Sequence, residues 1–169
     1  MAELTPKERL QPSLLDRLTD DEPDRTQESR QRRVLNAGQL RESVRRDLSW
    51  LLNTTHLAAK LDLSAYPEVE RSTLNYGVPD LSGKTSSTID VPALEKAIRS
   101  AIWEFEPRLL RRSVRIKVIV DEQQMSHNAM SFLIEAELWA QPLPLRLFLR
   151  TDLDLETGKI FVSETAGPD

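Results

Sequence analysis

The feature that most constrains the fold of this chain is a change in the spacing of its apolar residues. Apolar side chains recur once per helical turn in residues 39–53 and again between Asp90 and Pro107, whereas apolar and polar residues alternate from Val114 onward. Asp90 is a residue type that caps helices, and the residue before Pro107 is disfavoured in a helix. The sequence therefore predicts an α+β protein whose helices precede a run of neighbouring antiparallel strands.

Three alternating segments predict half-buried strands, and a shorter one follows them. The longer segments are residues 114–120, 132–140 and 145–150. Residues 156–159 have the composition of a turn, and residues 160–163 form the last predicted strand. We therefore expect amphipathic helices packed on a small antiparallel meander of three or four strands.

The first 36 residues differ in composition from the rest of the chain. They carry eight acidic and seven basic residues and have few apolar ones, so they cannot bury enough surface to offset their ordering entropy. We predict a charged, partly disordered and extended arm at 1–36, with a short helix near 13–18. A single α+β domain at 37–165 and a tail at 166–169 follow it. The short helix would anchor the arm to the domain or to another chain.

The composition argues against several classes of protein. The net charge of −4 does not fit a polycation that coats nucleic acid. The absence of cysteine excludes a disulfide framework and a thiolate metal site, and His56 and His127 lack the spacing of metal ligands. No apolar run has the length of a membrane helix, and no secretory signal is visible. We expect a cytoplasmic protein without cofactor or metal.

Two pairs of carboxylates are the candidates for a hydrolase, Glu104 with Glu106 and Glu135 with Glu137. Glycosidic cleavage needs two carboxyl groups on either side of the scissile bond, one of them kept protonated. Glu135 and Glu137 alternate with apolar residues, which places them on the solvent face of a strand. The sequence therefore predicts no catalytic residue.

A basic cluster between the second helix and the first strand is the candidate for nucleic-acid contact. No binding motif or aromatic stacking platform accompanies it in the sequence. A solvated surface is the favoured interpretation, and a nucleic-acid-binding module is the alternative. The members of the cluster are Arg99, Arg108, Arg111, Arg112, Arg115 and Lys117.

Two further stretches contain charged or aromatic residues that folding alone does not require. Glu106 and Arg108 flank Pro107, which restricts the backbone, so we expect both charges to face a partner at a rigid corner. The alternative is a helix end closed by an intramolecular Glu–Arg pair. The second stretch belongs to a long turn-rich loop, which has one helical turn near 67–73. Its candidate contact residues are Asn75, Tyr76, Gly77, Pro79 and Asp80.

Four segments in this order resemble the type VI secretion baseplate subunit TssE, a family similar to a wedge protein of contractile phage tail baseplates. They are residues 13–18, residues 40–54, the loop at 75–83 and the Glu-Pro-Arg corner at 106–108, and the resemblance covers roughly residues 10–160. It implies a structural baseplate component, not an enzyme. It also implies a cytoplasmic location, at a baseplate docked to the inner membrane complex.

The resemblance implies protein partners as well. These are the wedge subunits TssF and TssG, other baseplate subunits such as TssK, and the sheath proteins TssB and TssC, with no nucleic acid and no membrane insertion. The last strand of a meander leaves an edge that a sheath strand could extend. A lysozyme-like hydrolase acting on peptidoglycan and a nucleic-acid-binding module are the alternative functions. The contact residues expected outside the corner and the loop are Leu14, Leu15 and Leu18 of the arm and Ile160, Phe161 and Val162 of the last strand.

Overall fold

The computed structural model describes residues 13–19, 36–83, 89–119, 129–140 and 143–167. Within these ranges the helices precede the strands, which confirms the predicted α+β fold. The helices are α1 (Leu14–Leu18), α2 (Ala37–Leu52), α3 (Pro67–Glu70) and α4 (Val91–Phe105). The strands are β1 (Arg115–Ile119), β2 (Ala129–Leu138), β3 (Leu145–Asp154) and β4 (Ile160–Glu164). Most of the predicted arm and all of residues 121–128, between the first two predicted strands, lie outside the described residues.

The four strands form one antiparallel sheet in the order β1-β2-β3-β4. Ile134 of β2 lies opposite Ile116 of β1 on one side and Leu149 of β3 on the other. Helix α4 packs against β1, whereas α2 packs against β3 and β4. The inward side chains of the sheet and the apolar stripes of the two long helices form one core, in which Leu48 and Phe132 are fully buried.

Strand β3 continues four residues beyond the predicted end at Arg150. Thr151 interrupts the apolar alternation in the sequence, but it is buried, and its hydroxyl donates to the carbonyl oxygen of Phe132 at 2.8 Å. This bond satisfies the hydroxyl within the core, so the alternation continues to Leu153. The predicted end was wrong because the sequence does not show which hydroxyls find an internal acceptor.

The helix ends agree with their sequence signals. The Asp90 carboxylate accepts a hydrogen bond from Ala93 N at 3.1 Å, which confirms the predicted cap of α4. Helix α2 begins two residues before the predicted residue 39, because Asn36 and Gln39 form a reciprocal capping box. The predicted helical turn after residue 66 is α3. Among the described helices, none combines the length and the apolar composition needed to cross a membrane.

Candidate functional site

Arg108 joins the residues after α4 to helix α2. Its Nε donates to Oε1 of Glu106 at 2.7 Å, and its Nη2 donates to Oε2 of Glu106 and to Oδ2 of Asp47, both at 2.5 Å. Its Nη1 donates to the Ser43 hydroxyl at 3.0 Å. The guanidinium therefore bridges two carboxylates that come from different parts of the chain.

The same network continues to helix α1. Oδ1 of Asp47 accepts from Arg46 Nε at 2.9 Å, and Arg46 Nη1 donates to Oδ1 of Asp16 at 2.6 Å. The Ser43 hydroxyl donates to Oδ2 of Asp16 at 2.8 Å. The network thus ties α1, α2 and the end of α4 together through side chains. We call its members the junction cluster: Asp16, Ser43, Arg46, Asp47, Glu106 and Arg108.

The electrostatics of the junction cluster favour the charged forms of Asp16 and Arg108. Burial opposes the charge of Asp16, but hydrogen bonds from Ser13, Arg46 and Ser43 and the charge of Arg46 lower its pKa to about 2. Burial likewise opposes the charge of Arg108, yet its carboxylate partners raise its pKa. These ion pairs hold the three backbone segments in a fixed relation.

The expectation that the Glu106 carboxylate faces a partner from an exposed corner is wrong. Glu106 is only 4% exposed, and Arg108 binds both of its oxygens. The alternative interpretation, a helix end closed by an intramolecular pair, describes what the structure contains. Pro107 itself is exposed at the surface of the corner. Since Arg108 is fully engaged in ion pairs, it does not act with the other members of the predicted basic cluster.

The loop, the corner and the arm meet at one groove. The Tyr76 and Phe105 rings pack edge to face, with their centroids 5.2 Å apart. Leu14 and Leu15 of α1, both exposed, lie on the other side of a groove of about 450 Å³. Three predicted contact segments therefore form one surface, which we call the junction groove. It is lined by Ser13, Leu14, Leu15, Asp47, Leu48, Trp50, Leu51, Tyr76, Phe105, Glu106, Pro107 and Arg108.

Sequence reasoning missed the contribution of helix α2 to this groove. Arg46 stacks over Trp50, with 5.1 Å between the guanidinium carbon and the ring centroid, and Asp47 lies beside them. These residues occupy the half-exposed and exposed face of α2, which amphipathic analysis treats as solvated surface. The available signal was Trp50, a large aromatic residue at an outward position of an amphipathic helix.

Two of the predicted loop residues shape the loop instead of facing solvent. The Asn75 side chain accepts from Ala58 N and donates to the Glu70 carbonyl, both at 2.8 Å. Gly77 is buried and has a φ of +130°, and a Cβ on it would lie 2.2 Å from the Thr54 carbonyl oxygen. Together these residues pin the loop to the end of α2 and thereby place Tyr76 in the junction groove.

The other predicted contact residues of the loop and the arm remain accessible. Leu18 is exposed at the end of α1, and Pro79 is half-buried. Asp80 is exposed, and its Oδ1 accepts from the backbone N and the hydroxyl of Ser82, at 3.0 and 2.7 Å. Asp80 thus takes part in a local turn at the surface.

The predicted open edge of the last strand is partly occupied. Ile160 donates its N–H to Asn53 Oδ1 at 2.9 Å, and its carbonyl accepts from Asn53 Nδ2 at 2.8 Å. The Val162 carbonyl accepts from Arg45 Nη1 at 3.0 Å. The side chains of Ile160 and Val162 are buried, whereas Phe161 is 57% exposed. The expectation of a free edge is therefore wrong at these backbone groups, because helix α2 covers them.

The two carboxylate pairs differ in their surroundings. Glu104 is exposed on α4, while its partner in the pair, Glu106, is bound to an arginine. Glu135 and Glu137 are half-buried and alternate with the buried residues of β2, as expected for the solvent face of a strand. Among the described residues, no group of three or more His, Asp or Glu residues is placed to hold a metal ion.

Comparison with known proteins gives one family match. The family model of the baseplate wedge protein gp25 matches residues 38–143, which is more than half of the chain. The matched region includes α2, the loop, α4, the Glu-Pro-Arg corner, β1 and β2, whereas α1, β3 and β4 lie outside it. A search of curated proteins and a search of solved structures found no significant match.

We predict that Arg108→Ala destabilises the fold by about 3 kcal/mol, since it leaves the carboxylates of Glu106 and Asp47 without their common partner. The control is Arg150→Ala, which removes an exposed ion pair with Asp152 and should cost less than about 1 kcal/mol. Urea unfolding of both variants measures the difference. An Arg108→Ala variant as stable as the control would restore the original expectation of a partner-facing corner.

We also predict an acid-dependent contribution from Asp16. Its pKa in the folded protein is about 2, below the usual 3.8, so its stabilisation is present above pH 4 and is lost as the pH falls toward 2. Asp16→Asn lacks this contribution at every pH. The stability gap between wild type and Asp16→Asn, measured by urea unfolding, should therefore close between pH 5 and about pH 2. A gap that stays constant over that range would contradict the ion pair.

Proposed function

Since the chain belongs to the family of the baseplate wedge protein gp25, which is also the family of the type VI secretion subunit TssE, we propose that it is the TssE-type subunit of a type VI secretion baseplate. A structural role in a phage tail-like or type VI baseplate, in contact with other baseplate components, follows from family membership. The finer proposal is that the chain binds the wedge subunits, initiates the sheath and catalyses no reaction. We further propose that the chain functions in the cytoplasm.

The junction groove is the surface that we assign to the wedge subunits TssF and TssG. The observation that carries this proposal is the convergence of exposed apolar side chains on a rigid network of ion pairs. Leu14 and Trp50 are exposed next to Pro107, and the junction cluster fixes their backbones. Protein interfaces commonly combine such apolar and aromatic contacts with a surrounding polar rim. The ion pairs thus position the groove, and the apolar side chains make the contact.

The same geometry supports a proposed division of the chain into an arm and a domain. We propose that the arm at 1–36 docks through α1 and that the domain at 37–165 folds around its own core. Asp16 is the link between them, because it bonds to Ser43 and Arg46 of α2. The arm would then be needed for assembly more than for folding. We also propose that the chain contacts TssK, for which we assign no surface.

We predict that Leu14→Asp weakens co-purification of TssF and TssG by at least about tenfold, because it places a charge in an apolar contact that is then buried. Leu14 is 71% exposed in the free protein, so the change should leave its stability unaltered. Leu143→Asp is the matched control, since Leu143 is 72% exposed two residues before β3 and does not line the groove. Equal losses in both variants would contradict the assignment.

The sheath proteins TssB and TssC are assigned to strand β4. Asp154 N donates to the Lys159 carbonyl at 2.9 Å, and Thr165 N donates to the Phe148 carbonyl at 3.0 Å. Because hydrogen-bonded pairs recur at every second residue of an antiparallel pair, these two bonds show which residues of β4 direct their backbone groups toward β3. In this register Phe161 turns its backbone groups toward β3, and Val162 turns its own outward. A sheath strand could therefore pair with β4 once Arg45 releases the Val162 carbonyl. The Phe161 ring, exposed on the outer face, would add a side-chain contact.

We predict that Val162→Pro blocks sheath polymerisation and leaves the wedge complex intact. Proline removes an N–H that points outward, so no bond of the domain's own ladder is lost. Val162→Ala keeps this donor while also shortening the buried side chain, so it is the control for lost packing and should assemble normally. Fluorescent sheath imaged in cells, with wedge integrity checked by pulldown, measures both effects.

Phe161→Pro completes this design. It removes an N–H that faces β3, so it should destabilise the domain itself and abolish both assemblies. Normal sheaths in the Val162→Pro strain would show that this edge does not template the sheath.

A further inference from the structure

The groove beside β1 contains a set of cations that the junction cluster does not use. Arg99 and Trp103 lie one helical turn apart on α4, and Arg115 and Lys117 are exposed at alternate positions of β1. These elements enclose a groove of about 910 Å³. We call it the basic groove, and its lining residues are Arg99, Trp103, Arg111, Arg112, Val114, Arg115, Ile116, Lys117, Leu133 and Glu135.

Among the described residues, the cations of the basic groove have no ion-pair partner. In the part of the chain that the structure describes, the ion pairs involve Arg41, Arg45, Arg46, Arg108 and Arg150 but none of the five cations of this groove. In addition, Nε of Arg99 is shielded from solvent and has no hydrogen-bond partner. Glu135 is the acidic residue that lines the groove, so positive charge is in clear excess.

The wall of the groove is rigid. The Trp103 indole N–H donates to the Arg111 carbonyl at 3.0 Å, which ties α4 to the turn before β1. At the other end, Glu95 accepts from Val118 N at 3.1 Å and closes the edge of β1. Trp103 remains 37% exposed, so part of its ring can contact a ligand. These bonds fix the backbone beside an accessible aromatic face, and the planar guanidinium group of an arginine loses little freedom per hydrogen bond that it forms.

The basic surface continues beyond this groove. A second depression of about 600 Å³ shares Arg111, Arg112, Arg115 and Glu135 with it and is also lined by Glu137 and by Arg146 of β3, so four arginines face two carboxylates there. An extended segment could follow this path from α4 across the end of the sheet. Several guanidinium groups along one path suit a ligand with several carboxylates, since each group can bind one of them in bidentate fashion.

We propose that the basic groove is a docking site for an acidic, extended segment of a partner protein. Charge complementarity decides the chemistry of the occupant: five cations face one lining carboxylate. A short acidic protein segment fits better than nucleic acid because it can lie within the groove, whereas a long polyanion would extend over the rest of a chain whose net charge is −4. The inference is independent of the baseplate assignment, because it names a second surface with its own chemistry.

The test uses a synthetic octaglutamate peptide as the probe and the full chain with Trp50→Phe and Trp139→Phe, so that Trp103 is the remaining tryptophan. Octaglutamate should quench Trp103 fluorescence, and octaglutamine should not. Raising the salt from 50 to 500 mM should weaken binding by at least about tenfold, as screening predicts for exposed charges. The double variant Arg112→Glu with Arg115→Glu should lose binding by a similar factor.

Arg150→Glu is the matched control, because Arg150 is exposed on β3 and does not line the groove. Since Arg150 lies two strands from Lys117, with Leu133 between them, its reversal should weaken binding clearly less than the double variant does. Arg111→Gln and Lys117→Gln are milder variants, which keep the test valid if the double charge reversal does not fold. Failure of octaglutamate to bind, or an equal loss in Arg150→Glu, would overturn the proposal. Tighter binding of a twelve-nucleotide oligothymidine through the same residues would overturn it in favour of nucleic acid.

Discussion

The architecture depends on the bridge that Arg108 makes between Glu106 and Asp47. The side chain holds the end of α4 against α2, while the backbone carbonyl of Arg108 accepts from Trp139 N at 2.8 Å, just after β2. One residue therefore connects the helices to the sheet. Because a buried carboxylate is costly without its partner, this bridge selects a single arrangement of the corner. The position of the exposed apolar groups around it follows from that arrangement.

Local signals were sufficient for most of the fold. Caps, prolines and alternation predicted α2, α4 and the four strands, because each signal and the element that it predicts lie within a few residues of each other. The site could not be predicted in the same way. Glu106 and Arg108 look like a charged surface corner until Asp47, some sixty positions earlier, is placed beside them. Nothing in the sequence near residue 106 shows that this partner is present.

The β4 edge illustrates the same limit. A terminal strand predicts an open row of backbone groups, and the sequence of residues 160–163 contains no sign that the row is covered. The covering groups come from Asn53 and Arg45 of α2, more than a hundred residues away in the chain. In the sequence Asn53 is the last residue of a predicted helix. In the structure its side-chain amide makes the two hydrogen bonds to the Ile160 backbone that a neighbouring strand would otherwise make. Such coverage protects an edge strand from unwanted pairing, and any strand that pairs with β4 would have to displace it.

Ion pairing within the chain divides the basic residues into two kinds that look alike in the sequence. Arg108 belongs to the same basic run as Arg111 and Arg112. Its charge is paired with Asp47 and Glu106, whereas Arg111 and Arg112 form no ion pair among the described residues. The net charge of −4 conceals this division, because acidic residues elsewhere offset the basic groove in the sum. A charged residue acts in the fold when its counter-ion belongs to the same chain and lies within reach. Exposed residues left without one are solvated in the free protein, and they remain available to a partner of opposite charge.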